Sequence, residues 1–346
     1  MVRAAAFALA AVELASGLFA GTERARAAAL VDEILDVSQV TPADRRRLAR
    51  GDVVAFPVDE GGERDLAVGL AVIVPAPMSR LVDTLGSGQL ITRDPTVSSA
   101  GERLPLPPLA PGDRDEAEAL AAAQPGRRFN LSAAEIDSLR AAARPAMAAP
   151  REAILERVWN EYRKLLTARW RAFEQGGLDA IAPYARPGGV ATEPGTELRR
   201  AAADALRVAR YGPALQAALL RSPGGGQQPE AVQRLYWVRR RVEGRPTMTL
   251  LHQLVLAGPA ITVHVERSYY VGHSYNASQT ITAVAAHPDG VLVFVTSRFS
   301  TDEVLGVGNS LKRSVGRTQV RSEMQRRLER MRDAYARPTA PATQSP

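Results

Sequence analysis

The four histidines of this sequence are the first residues to test for chemistry. They lie at His252, His264, His273 and His287. None of them forms the H-x-H pattern of one strand face or the H-E-x-x-H pattern of one helix face, so local geometry does not bring two imidazoles to one metal ion. Cysteine is absent, which excludes disulfides, thiol nucleophiles and thiolate ligands. The sequence therefore predicts no metal site and no cofactor.

A second motif, at Gly272–Asn276, resembles the G-x-S-x-G nucleophile elbow of α/β-hydrolases, where a strained strand-to-helix turn exposes the serine. Asn276 replaces the final glycine, and the polar His264 and Glu266 precede the motif where a buried parallel strand would be apolar. No helical pattern follows the motif. In that fold the catalytic histidine follows the catalytic acid in chain order, and His287 is the last histidine of this sequence. We predict a β-connection with a hydrogen-bonding serine, and we assign no catalytic residue.

The orientation of two histidines follows from the hairpin expected at Gly258-Pro259. If this dipeptide centres the turn, His252 lies opposite Val265, on one face with Leu254 and other apolar residues. His264 then falls on the other face, where a solvated side chain is expected. His252 is the one histidine predicted to point inward, as a core residue or as part of a site.

Polar and aromatic side chains crowd at a strand end and loop nearby, a place typical of the mouth of a cavity. The alternative is that the tyrosines pack with their hydroxyl groups in water. The candidate ligand-binding residues are His252, Arg267, Tyr269, Tyr270, His273 and Tyr275.

The elements that must position these residues begin with an N-terminal helical pattern over Val31–Arg50. Asp52–Val58 and Leu66–Val74 then read as a β-hairpin. A proline stop is followed by a short amphipathic helix over Met78–Leu85. The proline-rich Leu104–Asp113 is predicted to be a crossing loop.

A helical block follows from Asp113. Ser132 and Glu135 have the spacing of a capping box. Pro150 opens a long helix, and a further helix is expected over Glu197–Leu220. Three consecutive glycines in Ser222–Gln228 mark a flexible linker.

After this linker the residue pattern becomes typical of β-strands. Five β-like runs separated by turn residues predict an antiparallel meander. The last run is apolar at alternate positions of both kinds, so both of its faces are expected to be buried, as in a central strand. A long helix over Asn309–Tyr335 carries apolar residues that are predicted to cover the sheet: Leu311, Val315, Met324, Leu328, Met331 and Tyr335. The five runs are Leu235–Val242, Thr247–Ala257, Ala260–Tyr270, Gln279–Ala286 and Val291–Arg298.

The predicted fold class is therefore α+β: an antiparallel β-meander covered by a long C-terminal helix, with a large all-helical insertion. The predicted divisions are a signal peptide over 1–27, an N-terminal helix, hairpin and loop over 28–112, and the helical insertion with its linker over 113–228. The sheet with the C-terminal helix spans 229–337, and a disordered tail spans 338–346.

This order of elements resembles the helix-grip fold of START-type lipid-transfer and related ligand-binding domains, over Asp52–Leu85 and Leu235–Tyr335. The resemblance implies a cavity between the curved sheet and the terminal helix, used in most such proteins for an apolar ligand. Phe129–Ile136 and Asp302–Arg313 also resemble a group of exported bacterial proteins with no assigned activity, which implies no particular function.

Export is expected from the N-terminus, where Arg3 precedes a short apolar run and Ala25-Arg26-Ala27 offers an A-x-A cleavage site. The expected location is periplasmic or secreted. The net charge of +7 is spread along the chain, which does not favour nucleic acid as a partner. The segment from Lys312 to Arg337 contains nine basic and three acidic residues, which makes an anionic membrane surface a candidate partner.

Three hypotheses of function follow. The leading one is an exported protein that binds an apolar or lipid-like small molecule between the sheet and the C-terminal helix. The second is a periplasmic hydrolase or isomerase that uses His252 or His273 as a base with neighbouring tyrosines or arginines. The third is an envelope interaction protein without a pocket. The sequence favours binding over catalysis.

The signal-peptide hypothesis predicts that the mature protein begins at Ala28. N-terminal sequencing and intact mass of the protein purified from its own cell envelope check this. Ala27→Phe should block cleavage, because the signal peptidase requires a small residue before the cut. Recovery of an uncleaved chain from the envelope would contradict the prediction.

Overall fold

The structure is a computed structural model, and it describes residues 28–92, 94–144, 149–204, 213–225, 231–258 and 260–336. The predicted signal peptide (1–27) and tail (338–346) lie outside the described residues. Part of the predicted linker, residues 226–228, lies outside them too.

One antiparallel sheet organises the described residues, and it confirms the predicted α+β class with its meander. The strands are β1 (Val54–Phe56), β2 (Asp65–Val74), β3 (Val97–Gly101), β6 (Ala231–Val242), β7 (Arg245–Ala257), β8 (Ile261–Val271), β9 (Ala277–His287) and β10 (Gly290–Ser300). They form one eight-stranded sheet in the order β1-β2-β10-β9-β8-β7-β6-β3. The five predicted runs are β6 to β10. Two short strands, β4 (Tyr184–Ala185) and β5 (Ala191–Thr192), pair separately.

The helices are α1 (28–37), α2 (Pro42–Ala49), α3 (Met78–Gly86), α4 (Gln89–Thr92), α5 (Arg114–Ala121), α6 (Ala133–Ala143), α7 (Arg151–Gly176), α8 (Pro194–Asp204), α9 (Pro213–Leu220) and α10 (Asn309–Ala336). The capping box is confirmed, because the Ser132 N–H donates to the Glu135 carboxylate at 2.7 Å and the Glu135 N–H donates to Ser132 Oγ at 3.3 Å.

The described parts of the helix expected over Glu197–Leu220 are helical, in α8 and α9, and residues 205–212 lie outside the described residues. Two details of the predicted elements differ. The β4–β5 ribbon interrupts the insertion that was expected to be all-helical. Strand β3 was not predicted. It pairs with β6 at the edge of the sheet.

Side chains alternate between the two faces of the sheet. We call one face the insertion side, marked by Leu254, Val263 and Phe294, and the other the groove side, marked by Leu251 and Val293. Helices α1, α2, α8 and α9 cover one part of the insertion side, and α5, α6 and α7 cover the rest. Helices α3 and α10 lie on the groove side.

The predicted register of β7 against β8 is wrong by two residues. His252 pairs with Arg267, and Val265 pairs with Leu254. Because side chains alternate with a period of two, a shift of two leaves each residue on its predicted face. His252 does share the apolar face with Leu254.

A buried ion pair joins the insertion to the sheet. Arg186 Nε donates to Asp302 Oδ2 at 2.7 Å, and Arg64 Nε donates to Asp302 Oδ1 at 2.7 Å. A further guanidinium nitrogen of Arg186 donates to the side-chain oxygens of Asn130 and Asn276, each at 2.9 Å. Burial would raise the pKa of Asp302, but the hydrogen bonds from Arg186, Arg64 and Thr192 and the charge of Arg186 outweigh it and lower that pKa.

Asp302→Asn should lower the free energy of unfolding by about 3–5 kcal/mol at neutral pH, because it leaves the positive charge of the buried Arg186 without a carboxylate. The folded pKa of Asp302 is lowered. Its stabilisation is therefore present above the unfolded value of about 3.9 and is lost as the pH falls through the folded value. Urea denaturation measures the change.

The matched control is Asp289→Asn, whose side chain is 69% exposed and which should change stability by less than about 0.5 kcal/mol. Equal unfolding free energies for the two variants would show that the Asp302 pair does not stabilise the fold.

Candidate functional site

A long groove lies between the groove side of the sheet and α10. It contains an inner cavity of about 300 Å³ and an outer cavity of about 680 Å³. The two cavities share lining residues and are therefore adjacent, and we call the place where they meet the waist. The waist residues are Arg240, Glu266, Thr280, Met324 and Arg327.

The groove exists because α10 covers the sheet along only part of its length. Its C-terminal half packs on the sheet through the buried Leu328, and the Tyr335 hydroxyl lies 2.6 Å from Thr84 Oγ1 on α3. In contrast, Leu311 and Val315 are 70% and 58% exposed. The prediction that these two residues cover the sheet is wrong, and they instead border the outer cavity.

The floor of the groove is polar and one wall is apolar. The apolar residues are contributed by β10 and α10, among them Val293, Val295 and Met331. The polar residues alternate along two adjacent strands and all face the groove: His264, Glu266 and Ser268 on β8, and Ser278, Thr280 and Thr282 on β9.

His264 is the one histidine among the described residues that line the inner cavity, and it is buried. Its Nε2 lies 2.7 Å from the side-chain nitrogen of Gln253, which also donates to the Leu85 carbonyl at 3.1 Å. An amide nitrogen only donates, so Nε2 accepts and the ring proton is on Nδ1. Burial lowers the pKa of His264 against the opposing charge of Glu266. The expectation of a solvated His264 is therefore wrong, because the groove side is covered.

The arginines of the waist differ in their partners. Arg327 donates to Glu323 at 3.1 Å and lies 3.0 Å from Asp94. Burial would raise the pKa of Asp94, but the charge of Arg327 and the hydrogen bonds from Thr96 outweigh it and lower that pKa. Within the described ranges, Arg240 has no side-chain hydrogen bond and no ion pair, and its Nε is buried.

The structure separates the six predicted ligand-binding residues. Tyr275 lines the outer cavity, and His273 is buried close to it. The other four lie on the insertion side and line neither cavity of the groove: His252, Arg267, Tyr269 and Tyr270.

These four residues pack between the sheet and the insertion. Phe173 of α7 stacks on Tyr269 with ring centroids 3.9 Å apart and meets His252 edge-on at 5.5 Å. Arg267 Nε donates to Gln279 Oε1 at 2.9 Å, and burial lowers the pKa of Arg267 to about 9. Burial and the charge of Arg267 lower the pKa of His252 to about 3.

The Gly272–Asn276 motif is a connection between the antiparallel strands β8 and β9. Ser274 has φ +73°, and its Oγ donates to Glu243 at 2.8 Å and lies 2.6 Å from His273 Nδ1. No helix follows the serine directly, so the motif is a hydrogen-bonded turn, as predicted. The enzyme hypothesis required a cleft that joins several of the predicted histidines and tyrosines. His252 and His273 do not share such a cleft, so the structure gives this hypothesis no support.

Sequence reasoning missed the residues of the groove floor. Polar alternation on β8 and β9 is typical of a sheet face in water, and His264 was interpreted that way. The signal that could have found the floor is the combination of this alternation with the predicted covering helix, since both belong to the same face.

No protein-family model matches this chain, and no curated protein matches it. Among solved structures, the crystal structure of Ara h 8.0201 aligns with 30% of this chain at 11% identity and a TM-score of 0.20. The aligned part spans 65% of that structure, which is under two thirds of its length.

Two further findings concern the described ranges alone. No helix in them is both long and apolar enough to span a membrane. No cluster of three histidine, aspartate or glutamate side chains in them could hold a metal ion.

His252→Gln should reduce the loss of stability between pH 7 and pH 5 by about 2 kcal/mol. The folded pKa of His252 is about 3, so near pH 5 the unfolded chain, with a pKa of about 6.5, binds more protons and is favoured by about 1.36 kcal/mol for each pH unit below that value. Urea denaturation at the two pH values measures the difference.

His287→Gln is the control, because its side chain is 20% exposed at the end of β9. An unchanged pH dependence in His252→Gln would mean that this imidazole is not held neutral in the fold.

Proposed function

We propose that the protein binds a small molecule in the groove between the sheet and α10, with an apolar part in the inner cavity. The observation that carries this proposal is the inner cavity of about 300 Å³, with Leu328 and Met331 on one wall. This volume falls at the lower end of the range of ligand pockets, and the outer cavity adjoins it.

The resemblance to helix-grip domains supports the same reading, because their cavity lies between sheet and terminal helix. The observed order of hairpin, short helix, meander and terminal helix agrees with that resemblance. The alternative of an interaction protein without a pocket has less support, since the groove occupies the space between the two elements. The proposed location remains the periplasm or the exterior of the cell.

The groove floor favours an amphipathic ligand over a purely apolar one. His264 and Thr282 are buried and face the cavity from adjacent strands. Buried polar groups are stabilised only when they have hydrogen-bond partners. A ligand with one polar region would meet this floor while its apolar region packs against β10 and α10.

A neutral fluorescent dye, N-phenylnaphthylamine, tests for the pocket. The protein should bind it with a rise in fluorescence, and Thr280→Trp should weaken binding at least about tenfold, because the indole would fill the waist. Thr318→Trp is the matched control, since Thr318 is exposed on α10 and should bind the dye as the unmodified protein does.

Native mass spectrometry of the protein purified gently from its own envelope extends this test. The proposal expects a reproducible small-molecule adduct that Thr280→Trp loses and Thr318→Trp retains. Dye binding that is equal in both variants, together with no adduct, would overturn the proposed function.

A further inference from the structure

We infer that the ligand is a single-chain amphiphile with an anionic head group, and that Arg240 at the waist holds that head group while the chain lies in the inner cavity. This inference rests on the proposed function and deepens it. The inference specifies the charge of the ligand head group and the residue that binds it.

The first argument is the set of basic side chains around the groove. Five of the six have a hydrogen-bond or ion-pair partner in the protein, and Arg240 has none within the described ranges. The five are Arg241 with the Gly244 carbonyl, Lys312 with the Leu305 carbonyl, and Arg326, Arg327 and Arg330 with Glu323.

The second argument is the position of the acidic groups. Both carboxylate oxygens of Asp94 are in use, one beside Arg327 at 3.0 Å and the other accepting from Thr96 at 2.7 Å and 2.9 Å. Burial would lower the pKa of Arg327, but the charges of Asp94 and Glu266 and its bond to Glu323 outweigh it and raise that pKa. Asp94 and Glu323 thus contact Arg327, whereas Arg240 acts on Asp94 only through its charge at longer range, and no carboxylate of the described residues lies within ion-pair distance of Arg240.

The third argument is the overall charge and the chemistry of the guanidinium. Six basic and five acidic side chains line the two cavities, and His264 is neutral, so the groove carries one excess positive charge. A buried donor such as Arg240 Nε is unfavourable without an acceptor. A planar guanidinium presents parallel N–H groups that match a carboxylate or sulfate.

The position of Arg240 sets the orientation of the ligand. Arg240 borders both cavities, and the apolar side chains Val293, Val295 and Leu328 lie on the inner side of the waist. The outer cavity also has apolar side chains, but its Leu311 and Val315 are 70% and 58% exposed, whereas Val293, Val295 and Leu328 are buried. A chain that extends from a head group at Arg240 is therefore best removed from water in the inner cavity.

Isothermal titration calorimetry with decanoate, decanol and decylammonium at neutral pH tests the inference. The three probes share one chain length and differ in the charge of the head group. We expect decanoate to bind about tenfold more tightly than decanol, with decylammonium the weakest. Arg240→Gln should abolish the preference for decanoate, so that decanoate and decanol bind the variant with about equal affinity.

Two further variants separate a charge effect from damage to the fold. Arg240→Lys keeps the charge and should keep part of the preference, whereas Arg321→Gln removes an exposed arginine of α10 and should keep all of it. Decyl sulfate distinguishes a carboxylate site from a general anion site, and comparable binding of both anions supports the shared chemistry.

The inference is overturned if Arg240→Gln retains the preference for decanoate, or if decylammonium binds best, which would assign the head group to Glu266. Failure of all the probes and of the neutral dye would instead overturn the proposed function. Dye binding without any preference for the anion would leave the pocket established and remove the anionic ligand.

Discussion

Both faces of the antiparallel sheet have to be covered, and the rest of the structure depends on how differently the two faces are covered. On the insertion side, apolar residues such as Leu254 and Val263 continue from strand to strand, and helices close over them in one apolar cluster. On the groove side, β2 and β10 are apolar while β8 and β9 are polar. Helix α10 packs on the apolar strands, so the polar strands become the floor of a groove.

The insertion is consequently part of the fold of the sheet. Its α5, α6 and α7 bury Leu250, Tyr269 and Tyr270, which would otherwise be exposed to water. A buried polar contact also fixes the relative placement of insertion and sheet, because Arg186 and Asp302 come from the two parts. Charged pairs of this kind depend strongly on geometry. Asn130 and Asp302, which lie far apart in the sequence, both belong to this one network.

The sequence predicted the elements well where a period was clear, and less well where long-range contacts decide. The meander strands and the terminal helix follow from alternation and helical spacing, and even the two-residue error at His252 left its face correct. Strand β3 was missed because Val97–Gly101 is made of small and polar residues at an edge. The predicted ligand-binding set includes β8 residues such as Tyr269, whose covering partner Phe173 is distant in sequence.

The same reasoning explains why one end of α10 borders an open cavity. Its C-terminal half is held by apolar burial at Leu328. Its N-terminal half is held by the pairing of Arg317 and Arg313 with the Glu60 carboxylate, and by Gly316, which lies so close to β2 that a Cβ there would come 2.9 Å from a methyl carbon of Leu66. The neighbouring Leu311 and Val315 are instead 70% and 58% exposed. The accessible side of the groove is therefore at Leu311 and Val315.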